Sequence, residues 1–323
     1  MRYQYFDHCE LPVSKIVLGS TYFGTTISEE HALTMLDRFV EHGGTTIDTA
    51  RVYGQTTPGG PSASEQVIGL WMQKNGMRDK VVLATKGVAP EPSGKSRFSY
   101  KNLMLDIERS QDELRTDHFD FWFCHRDDVR IPVDEIMDMF APLVDARIIR
   151  NLGASNWTVD RIEAANRYAE KRNLPRFVTS EIQWSLATST PESWGDPSLV
   201  CMNDAQLGWY RKQGMPIFAY SSQAKGLFSK AIELGFDGLN KKSRQRFLTE
   251  ENARRVERVK KLSEEMKVSA AAIAVGYITS ERPASVAIVG CSSVDQLDDS
   301  LSASDLMLSP DQVAYLVGGE NAT

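Results

Sequence analysis

The sequence predicts an α/β protein with a (β/α)8 TIM barrel, a closed ring of eight parallel strands inside a layer of helices, preceded by an N-terminal β-hairpin. Short β-branched runs alternate with longer stretches of helical period, as in proteins whose parallel strands are joined by crossover helices. Apolar runs end in polar groups at Asp48, Lys86, His125 and the pair Ser155-Asn156. In barrels of this kind, active sites form at the ends of successive strands.

Length and composition fit a single domain over residues 1–323, because α/β barrels often reach this length and no linker divides the chain. A net charge of −6 disfavours a nucleic-acid partner. No segment approaches the roughly 20 apolar residues that span a bilayer, and no signal-peptide core is evident. The four cysteines have no metal or disulfide spacing. We expect a cytoplasmic, metal-free monomer or homo-oligomer that acts on a small molecule, without a membrane partner.

The strands can be assigned in order, because each apolar run is short and is followed by a helical pattern. Two runs near the N-terminus, Tyr3–Phe6 and Leu11–Val13, predict the hairpin. The eight barrel strands are predicted at Lys15–Leu18, Thr45–Asp48, Val81–Lys86, Phe119–His125, Ile148–Ala154, Val178–Gln183, Pro216–Tyr220 and Ser285–Val289.

The helices are predicted from apolar period and end signals. Ser28 is an N-cap for the first helix, and the glycine at Gly43 ends it. The further helices are predicted at Ser64–Trp71, Ser99–Arg115, Val133–Ala146, Val159–Arg172, Asn203–Gln213, Glu250–Lys267, Ser269–Ser280 and Ser293–Ser302. Ser185–Met202 and Ser221–Ser243 are predicted as irregular stretches.

The polar strand ends predict a proton-delivery site for a carbonyl group. Tyr53 can donate a proton to a developing alkoxide, but its ordinary pKa near 10 makes it a weak acid. The ammonium of Lys86, held by Asp48, would lower that pKa, and His125 can orient the carbonyl oxygen. No nucleophile motif is present, so the reaction needs an external hydride. Each residue alone also fits a structural role, and their joint occurrence at strand ends favours the site.

From about Gly19 to Ser300 the chain resembles the aldo-keto reductases. Asp48-Thr49-Ala50-Arg51-Val52-Tyr53-Gly54, followed by Ser64-Glu65 and Gly69, is similar to the first signature of that family, and Lys86 and His125 stand at its positions after strands three and four. The resemblance implies a tetrad with Tyr53 as general acid and base. It also implies reversible reduction of an aldehyde or ketone by NADP(H), bound extended across the barrel mouth without a Rossmann domain.

The same resemblance implies the cofactor-binding residues. They lie in or directly after strands one, two, five, six, seven and eight. These residues are Ser20, Thr21, Asp48, Ser155, Asn156, Glu181, Tyr220, Ser221, Ser222, Gln223, Lys225, Gly226, Leu227, Gly290, Ser292, Gln296 and Ser300. Without the resemblance, Tyr220 could equally be a core aromatic at a strand end.

Two positions depart from the family pattern. Ser180-Glu181 stands where Asn-Gln is usual. A carboxylate at Glu181 accepts but cannot donate a hydrogen bond, and its charge would favour the oxidised, positively charged nicotinamide. Ser292 replaces the Arg or Lys that often holds a 2′-phosphate, and Ser300 replaces the usual Asn. The bidentate guanidinium contact to phosphate is therefore lost, and NAD(H) is an alternative cofactor.

The substrate contacts are predicted from residues around the barrel mouth. They are Tyr22, Tyr53, His125, Arg126, Trp157, Trp184 and Trp194, with Trp194 as a lid in the Ser185–Met202 loop. Arg126 with Asp127 favours a sugar or sugar-derived carbonyl over a purely apolar aldehyde, although Arg126 could also form only a loop salt bridge.

Three rival functions remain open at this point. The first is an NAD(H)-dependent sugar dehydrogenase on the same site. The second is a cofactor-sensing regulatory subunit with slow turnover, as in the potassium-channel β-subunit branch of the family. The third is a barrel hydrolase that uses Asp48 and Glu181 as a carboxylate pair, which requires a separation of roughly 5–9.5 Å.

Overall fold

A computed structural model describes residues 1–57 and 59–318 and confirms the predicted barrel. Within these residues the strands are β1 (Tyr3–Gln4), β2 (Val13–Ser14), β3 (Ile16–Gly19), β4 (Thr46–Asp48), β5 (Val82–Gly87), β6 (Phe119–Cys124), β7 (Ile149–Ser155), β8 (Phe177–Gln183), β9 (Ile217–Tyr220) and β10 (Val286–Val289). Strands β3 to β10 close in chain order, with every neighbouring pair parallel. Strands β1 and β2 form the predicted antiparallel hairpin.

Helices surround the ring. In the described part of the chain they are α1 (Glu29–Glu41), α2 (Ala63–Asn75), α3 (Tyr100–Leu114), α4 (Val133–Asp145), α5 (Val159–Arg172), α6 (Pro191–Trp194), α7 (Asp204–Gln213), α8 (Leu227–Leu234), α9 (Lys241–Phe247), α10 (Glu250–Met266), α11 (Ala270–Ser280), α12 (Val294–Leu301) and α13 (Pro310–Val317). None of the helices in residues 1–57 and 59–318 is long and apolar enough to cross a membrane.

The core has two layers because strand side chains alternate between the two faces. Val82 and Ala84 belong to the cluster inside the barrel, whereas Leu83 between them belongs to the layer under the helices. The hairpin closes the end of the barrel where the strands begin, and Phe6 packs edge-on against Phe121 with ring centroids 5.0 Å apart. The opposite end, where the strands finish, is left for the functional site.

The sequence predicted most helix ends within one residue, because the caps form as expected. The hydroxyl of Ser28 accepts a hydrogen bond from the backbone N–H of His31, and Gly43 adopts a φ of 79° just after α1. The prediction was wrong for α6 and α8, which lie inside the two stretches assigned as irregular, and for α9, which begins at the end of the second one. Helix α13 was not predicted. These helices have four to eight residues, too few to establish an apolar period.

Candidate active site

Three ionisable side chains meet near the ends of strands β4, β5 and β8. Asp48 ends β4, Lys86 lies near the end of β5, and Glu181 lies in β8 with its side chain toward the barrel mouth. The Nζ atom of Lys86 lies 2.5 Å from Asp48 Oδ1 and 3.2 Å from Glu181 Oε1. It also donates a hydrogen bond to the carbonyl oxygen of Thr49 at 2.9 Å. All three side chains are at most 3% exposed, so they form one buried cluster.

The cluster shifts the pKa values of its members. Burial alone would lower the pKa of Lys86, but the negative charges of Asp48 and Glu181 outweigh this and raise it, so the ammonium stays charged. Burial, followed by repulsion from Asp48, raises the pKa of Glu181 to about 8. Burial also raises the pKa of Asp48, against the attraction of Lys86. One lysine therefore serves two acids, of which one keeps a proton near neutral pH.

Tyr53 lies beside this cluster in the turn that follows β4. The hydroxyl of Ser62 donates a hydrogen bond to the carbonyl oxygen of Tyr53 at 2.8 Å and fixes the turn. The Nζ atom of Lys86 is 5.2 Å from the centroid of the Tyr53 ring. Burial raises the pKa of Tyr53, and the attraction of Lys86 lowers it by less. The net direction is opposite to the predicted lowering, because desolvation of the phenolate outweighs the lysine charge.

His125 follows β6 and faces Tyr53. The two rings are nearly perpendicular, with centroids 6.0 Å apart. Burial, and then the positive charges of Arg126 and Lys86, hold the pKa of His125 well below its usual range. The Nδ1 atom of His125 finds no hydrogen-bond partner in the part of the chain that the structure describes. Burial therefore keeps the imidazole neutral at neutral pH.

Two cavities meet at these residues. A groove of about 630 Å³ runs from Tyr53 past the end of β9 to the start of α12, and we call it the first cavity. A second cavity, of about 1300 Å³, extends to the other side over the loops that follow β5 and β6. Both are lined by Tyr53, His125, Arg126 and Asn156. A molecule in each cavity would meet its neighbour at the Tyr53 phenol.

The first cavity brings together all but two of the predicted cofactor residues. Those that line it are Thr21, Asp48, Ser155, Asn156, Glu181, Tyr220, Ser221, Ser222, Gln223, Lys225, Gly226, Gly290, Ser292, Gln296 and Ser300. Ser20 is fully buried beneath the wall, where its hydroxyl donates to the carbonyl oxygen of Asp48 at 2.7 Å. Leu227 packs its side chain into the core at the start of α8.

This groove fits a nicotinamide dinucleotide. Its inner end carries Glu181, whose Oε2 atom is buried and has no hydrogen-bond partner among the described residues, beside the neutral His125. Its middle is formed by the loop from Ser221 to Gly226, in which Gly226 has a φ of 76°. An elongated groove with polar groups at the reacting end suits an extended cofactor.

Comparison with known proteins identifies the family. The profile of the Aldo/keto reductase family matches residues 15–318. The chain belongs to this family.

Named relatives agree with this result. A norsolorinic acid reductase of Emericella nidulans is 29% identical over 93% of this chain and 76% of its own length. An aryl-alcohol dehydrogenase [NADP(+)] of Phanerodontia chrysosporium is 29% identical over 95% of this chain and 83% of its own. An uncharacterized oxidoreductase of Bacillus subtilis, YrpG, is 28% identical over 95% and 92%. This aldo/keto reductase is therefore an NAD(P)-dependent oxidoreductase, and the relatives support carbonyl reduction.

In this aldo/keto reductase, Asn156 organises the junction of the two cavities. Its φ of 58° turns the chain after β7. Its side-chain oxygen accepts from the phenol of Tyr220 at 2.7 Å and from the backbone N–H of Val200 at 3.1 Å, and its amide donates to Ser155 at 3.0 Å. The Tyr220 ring is thereby held at the cavity wall.

The far wall of the first cavity carries the second departure from the family pattern, at Ser292 and Ser300. The hydroxyl of Ser292 donates to Gln296 Oε1 at 2.9 Å, and Ser300 accepts from Gln223 Nε2 at 3.0 Å. Asp299 adds an acid to this wall. Sequence reasoning missed several further lining residues: Gly19, Ile27, Phe228, Ser229, Lys230, Ala271, Ala274, Ile288, Cys291 and Asp299. Phe228 to Lys230 directly follow the predicted loop segment, which was an available signal.

The tryptophans predicted as substrate contacts lie elsewhere. Tyr22 lines the first cavity and Arg126 lines both, but the structure does not bring Trp157, Trp184 or Trp194 to either cavity wall. Trp157 is fully buried against Phe177 and Phe98, and Trp184 packs on Tyr277. Trp194 anchors α6 to α9, with the Arg246 guanidinium 4.2 Å from its ring centroid. Large apolar rings gain more from core packing than from an open cleft.

Proposed function

We propose that the protein reversibly reduces an aldehyde or ketone to the alcohol, with NADP(H) as cofactor and Tyr53 as general acid and base. The observation that carries this proposal is the position of the Tyr53 phenol, between buried Lys86 and neutral His125, where the two cavities meet. We also propose a cytoplasmic location, since all four cysteines are free thiols.

The residues divide the proton chemistry between them. The bound cofactor supplies or accepts the hydride. The raised pKa of Tyr53 keeps its proton in place until an alkoxide develops, and the Lys86 charge then stabilises the phenolate that forms. Neutral His125 donates a ring N–H to the carbonyl oxygen without competing as an acid. In the oxidising direction, Tyr53 as phenolate takes the proton from the alcohol.

The choice of NADP(H) rests on a relative that is named as an aryl-alcohol dehydrogenase [NADP(+)]. Lys225 and Lys230 both line the first cavity, and their charges suit the phosphates of NADP(H) and NAD(H) alike. Ser292, which lacks a charge to bind a 2′-phosphate, favours NAD(H) as the alternative. Ser292→Arg should therefore tighten NADPH at least ~10-fold and leave NADH nearly unchanged, as measured by calorimetry.

The second cavity bears on the substrate class. Its walls include apolar side chains at Val52, Phe98, Leu105 and Leu199, and a wide apolar cleft suits an aromatic ring. We therefore propose an aromatic carbonyl as the first class to test. The predicted sugar-derived carbonyl remains the second, because Arg126 also lines this cavity and could bind hydroxyl groups.

The hydrolase alternative fits the geometry poorly. Asp48 and Glu181 contact the same Lys86 nitrogen, at 2.5 and 3.2 Å, so the lysine occupies the space between them. This leaves no room for the sugar ring and attacking water that glycosidase carboxylates enclose.

Turnover assays test the proposal. NADPH and NADH oxidation should be followed with aromatic aldehydes, aromatic ketones and aldoses. We expect turnover with at least one carbonyl class, and Tyr53→Phe should lower kcat by ~10²–10⁴ without changing cofactor affinity. Full activity of Tyr53→Phe would contradict its role. Cofactor binding without any turnover would favour the cofactor-sensing alternative.

A further inference from the structure

Glu181 is a buried acid with one unused oxygen. Its side chain is 2% exposed and belongs to the lining of the first cavity, Oε1 contacts Lys86 at 3.2 Å, and Oε2 is buried without a hydrogen-bond partner within the described residues. A buried polar atom without a partner is costly, by about 1–3 kcal/mol, and such atoms often await a ligand. Glu181 therefore lies close enough to the first cavity for its charge to act on whatever occupies it.

The charge balance around Glu181 favours one extra proton on the cluster. Asp48 and Glu181 share a single ammonium, because both carboxyl groups contact the same Lys86 nitrogen. If both were ionised, one negative charge would remain uncompensated in a buried site, which is strongly unfavourable.

The other groups that face this cluster do not remove the excess charge. Arg126 attracts Glu181 from the loop after β6, but its guanidinium is already engaged by Ser198 at 3.0 Å and Asp196 at 3.5 Å. Tyr53 from the turn after β4 and Tyr220 from the end of β9 are phenols with raised pKa values, and both stay neutral. His125 after β6 is neutral as well.

We propose that Glu181 makes the protein discriminate between the reduced and oxidised cofactor according to its own protonation. As a neutral acid, Glu181 adds no charge beside the ring and favours the uncharged reduced nicotinamide. As a carboxylate, it places a negative charge beside the ring and favours the positively charged oxidised form. The proton comes from solvent and returns to it, and no covalent bond changes. This inference rests on the proposed function only in that the first cavity binds a nicotinamide cofactor.

The direction of the pH dependence follows. Burial and Asp48 raise the pKa of Glu181 to about 8, so its neutral form dominates below that pH and its carboxylate above it. Binding of the reduced cofactor at alkaline pH should take up a proton, and binding of the oxidised cofactor near neutral pH should release one. The ratio of the Kd for NADP⁺ to the Kd for NADPH should fall ~10-fold or more between about pH 6.5 and 9.

Isothermal titration calorimetry of the full-length protein tests this inference without any turnover. NADPH, NADP⁺, NADH and NAD⁺ should be titrated at several pH values, each in two buffers with different ionisation enthalpies, to obtain both Kd and the number of protons exchanged. The NADH and NAD⁺ titrations exclude a contribution from the 2′-phosphate, whose second pKa is near 6.

Two variants make the test specific. Glu181→Gln keeps a donor and an acceptor but cannot ionise, and we expect a Kd ratio that no longer varies with pH. Glu65→Gln is the matched control, because Glu65 is also buried with a pKa raised to about 7 but does not line the first cavity. It should keep the pH-dependent ratio of the wild type.

Several results would overturn the inference. The first is a ratio of the Kd for NADP⁺ to the Kd for NADPH that still varies with pH in Glu181→Gln. The second is that Glu181→Gln changes the Kd values of the reduced and oxidised cofactor by the same factor at every pH, which would indicate a merely structural role. If Glu181→Gln does not fold, the wild-type proton counts decide, and no difference between the two cofactor forms refutes the inference. Failure to bind any of the four cofactors would instead refute the proposed function.

Discussion

Glu65 and Glu181 are both buried glutamates with raised pKa values, but their surroundings differ. Each lies beside one cation, Arg51 for Glu65 and Lys86 for Glu181, and each has a second acid nearby. Both oxygens of Glu65 are used, because Oε1 accepts from Thr85 at 2.7 Å and Oε2 accepts from Arg51 at 3.3 Å. Glu181 Oε2, by contrast, has no partner within residues 1–57 and 59–318.

This difference separates a structural cluster from a functional one. The Glu65 cluster joins α2, β5 and α3 and fills its own hydrogen bonds, as a stabilising network does. The Glu181 cluster lies at the first cavity, and the Oε2 atom of Glu181 has no hydrogen-bond partner among the described residues. A raised pKa alone therefore does not identify an active site, since both glutamates have one. The oxygen of Glu181 without a hydrogen-bond partner and the adjacent cavity together identify the functional cluster.

Removing the cation of the functional cluster should give the largest effect. In Lys86→Met the developing phenolate of Tyr53 loses its stabilising charge, and we expect kcat to fall by ~10²–10⁴. Steady-state kinetics on the best carbonyl substrate would measure this. A kcat near the wild-type value would show that Lys86 only holds the strands together.

Removing the cation of the structural cluster should act on stability instead. Arg51→Met leaves Glu65 and Glu113 buried without their counter-charge, so the free energy of unfolding should fall by about 3–5 kcal/mol. Urea unfolding would measure the loss. The kcat of the protein that remains folded should stay near wild type, and a kcat loss as large as that of Lys86→Met would break the distinction between the two clusters.

The pH dependence of the free energy of unfolding should also distinguish the two glutamates, with a smaller effect than the two cation replacements. The folded protein holds protons on Glu65 and Glu181 up to about pH 7 and 8, whereas the unfolded chain releases them near pH 4.5. Folded protein thus binds more protons in this window, so the free energy of unfolding falls as pH rises through it.

In Glu181→Gln the free energy of unfolding should decrease less with rising pH, up to about pH 8. In Glu65→Gln the same effect should extend only up to about pH 7. Thermal unfolding midpoints measured from pH 5 to 9 would test both. Parallel curves for the wild type and Glu181→Gln would mean that Glu181 is ionised in the folded protein.

An exposed ion pair provides the smallest effect. Arg254 pairs with Glu251 at 3.0 Å on the surface of α10, and its side chain is 56% exposed. Arg254→Ala should change the free energy of unfolding by less than ~1 kcal/mol and leave kcat unchanged. A loss comparable to that of Arg51→Met would undermine the claim that burial is what makes the two clusters important.

Much of the candidate site follows from local pattern. Asp48, Lys86 and His125 end or follow apolar runs, and a barrel brings the ends of parallel strands to one mouth. The prediction of an Asp48–Lys86 pair is confirmed at 2.5 Å. The departure at Glu181 was visible in the sequence, but its contact with the same lysine was not. That contact depends on how the barrel places β5 and β8, which are not neighbours, on facing sides of its mouth.

The sequence by itself determined the barrel, its hairpin and the polar residues at its mouth, because strand and helix periods and cap residues act over a few neighbouring positions. Only the tertiary structure decided where the tryptophans pack, which way the Tyr53 pKa shifts, and which glutamate keeps a free oxygen. These properties depend on burial and on contacts between residues far apart in the chain, and burial changes the energy of a charge more than any local pattern does.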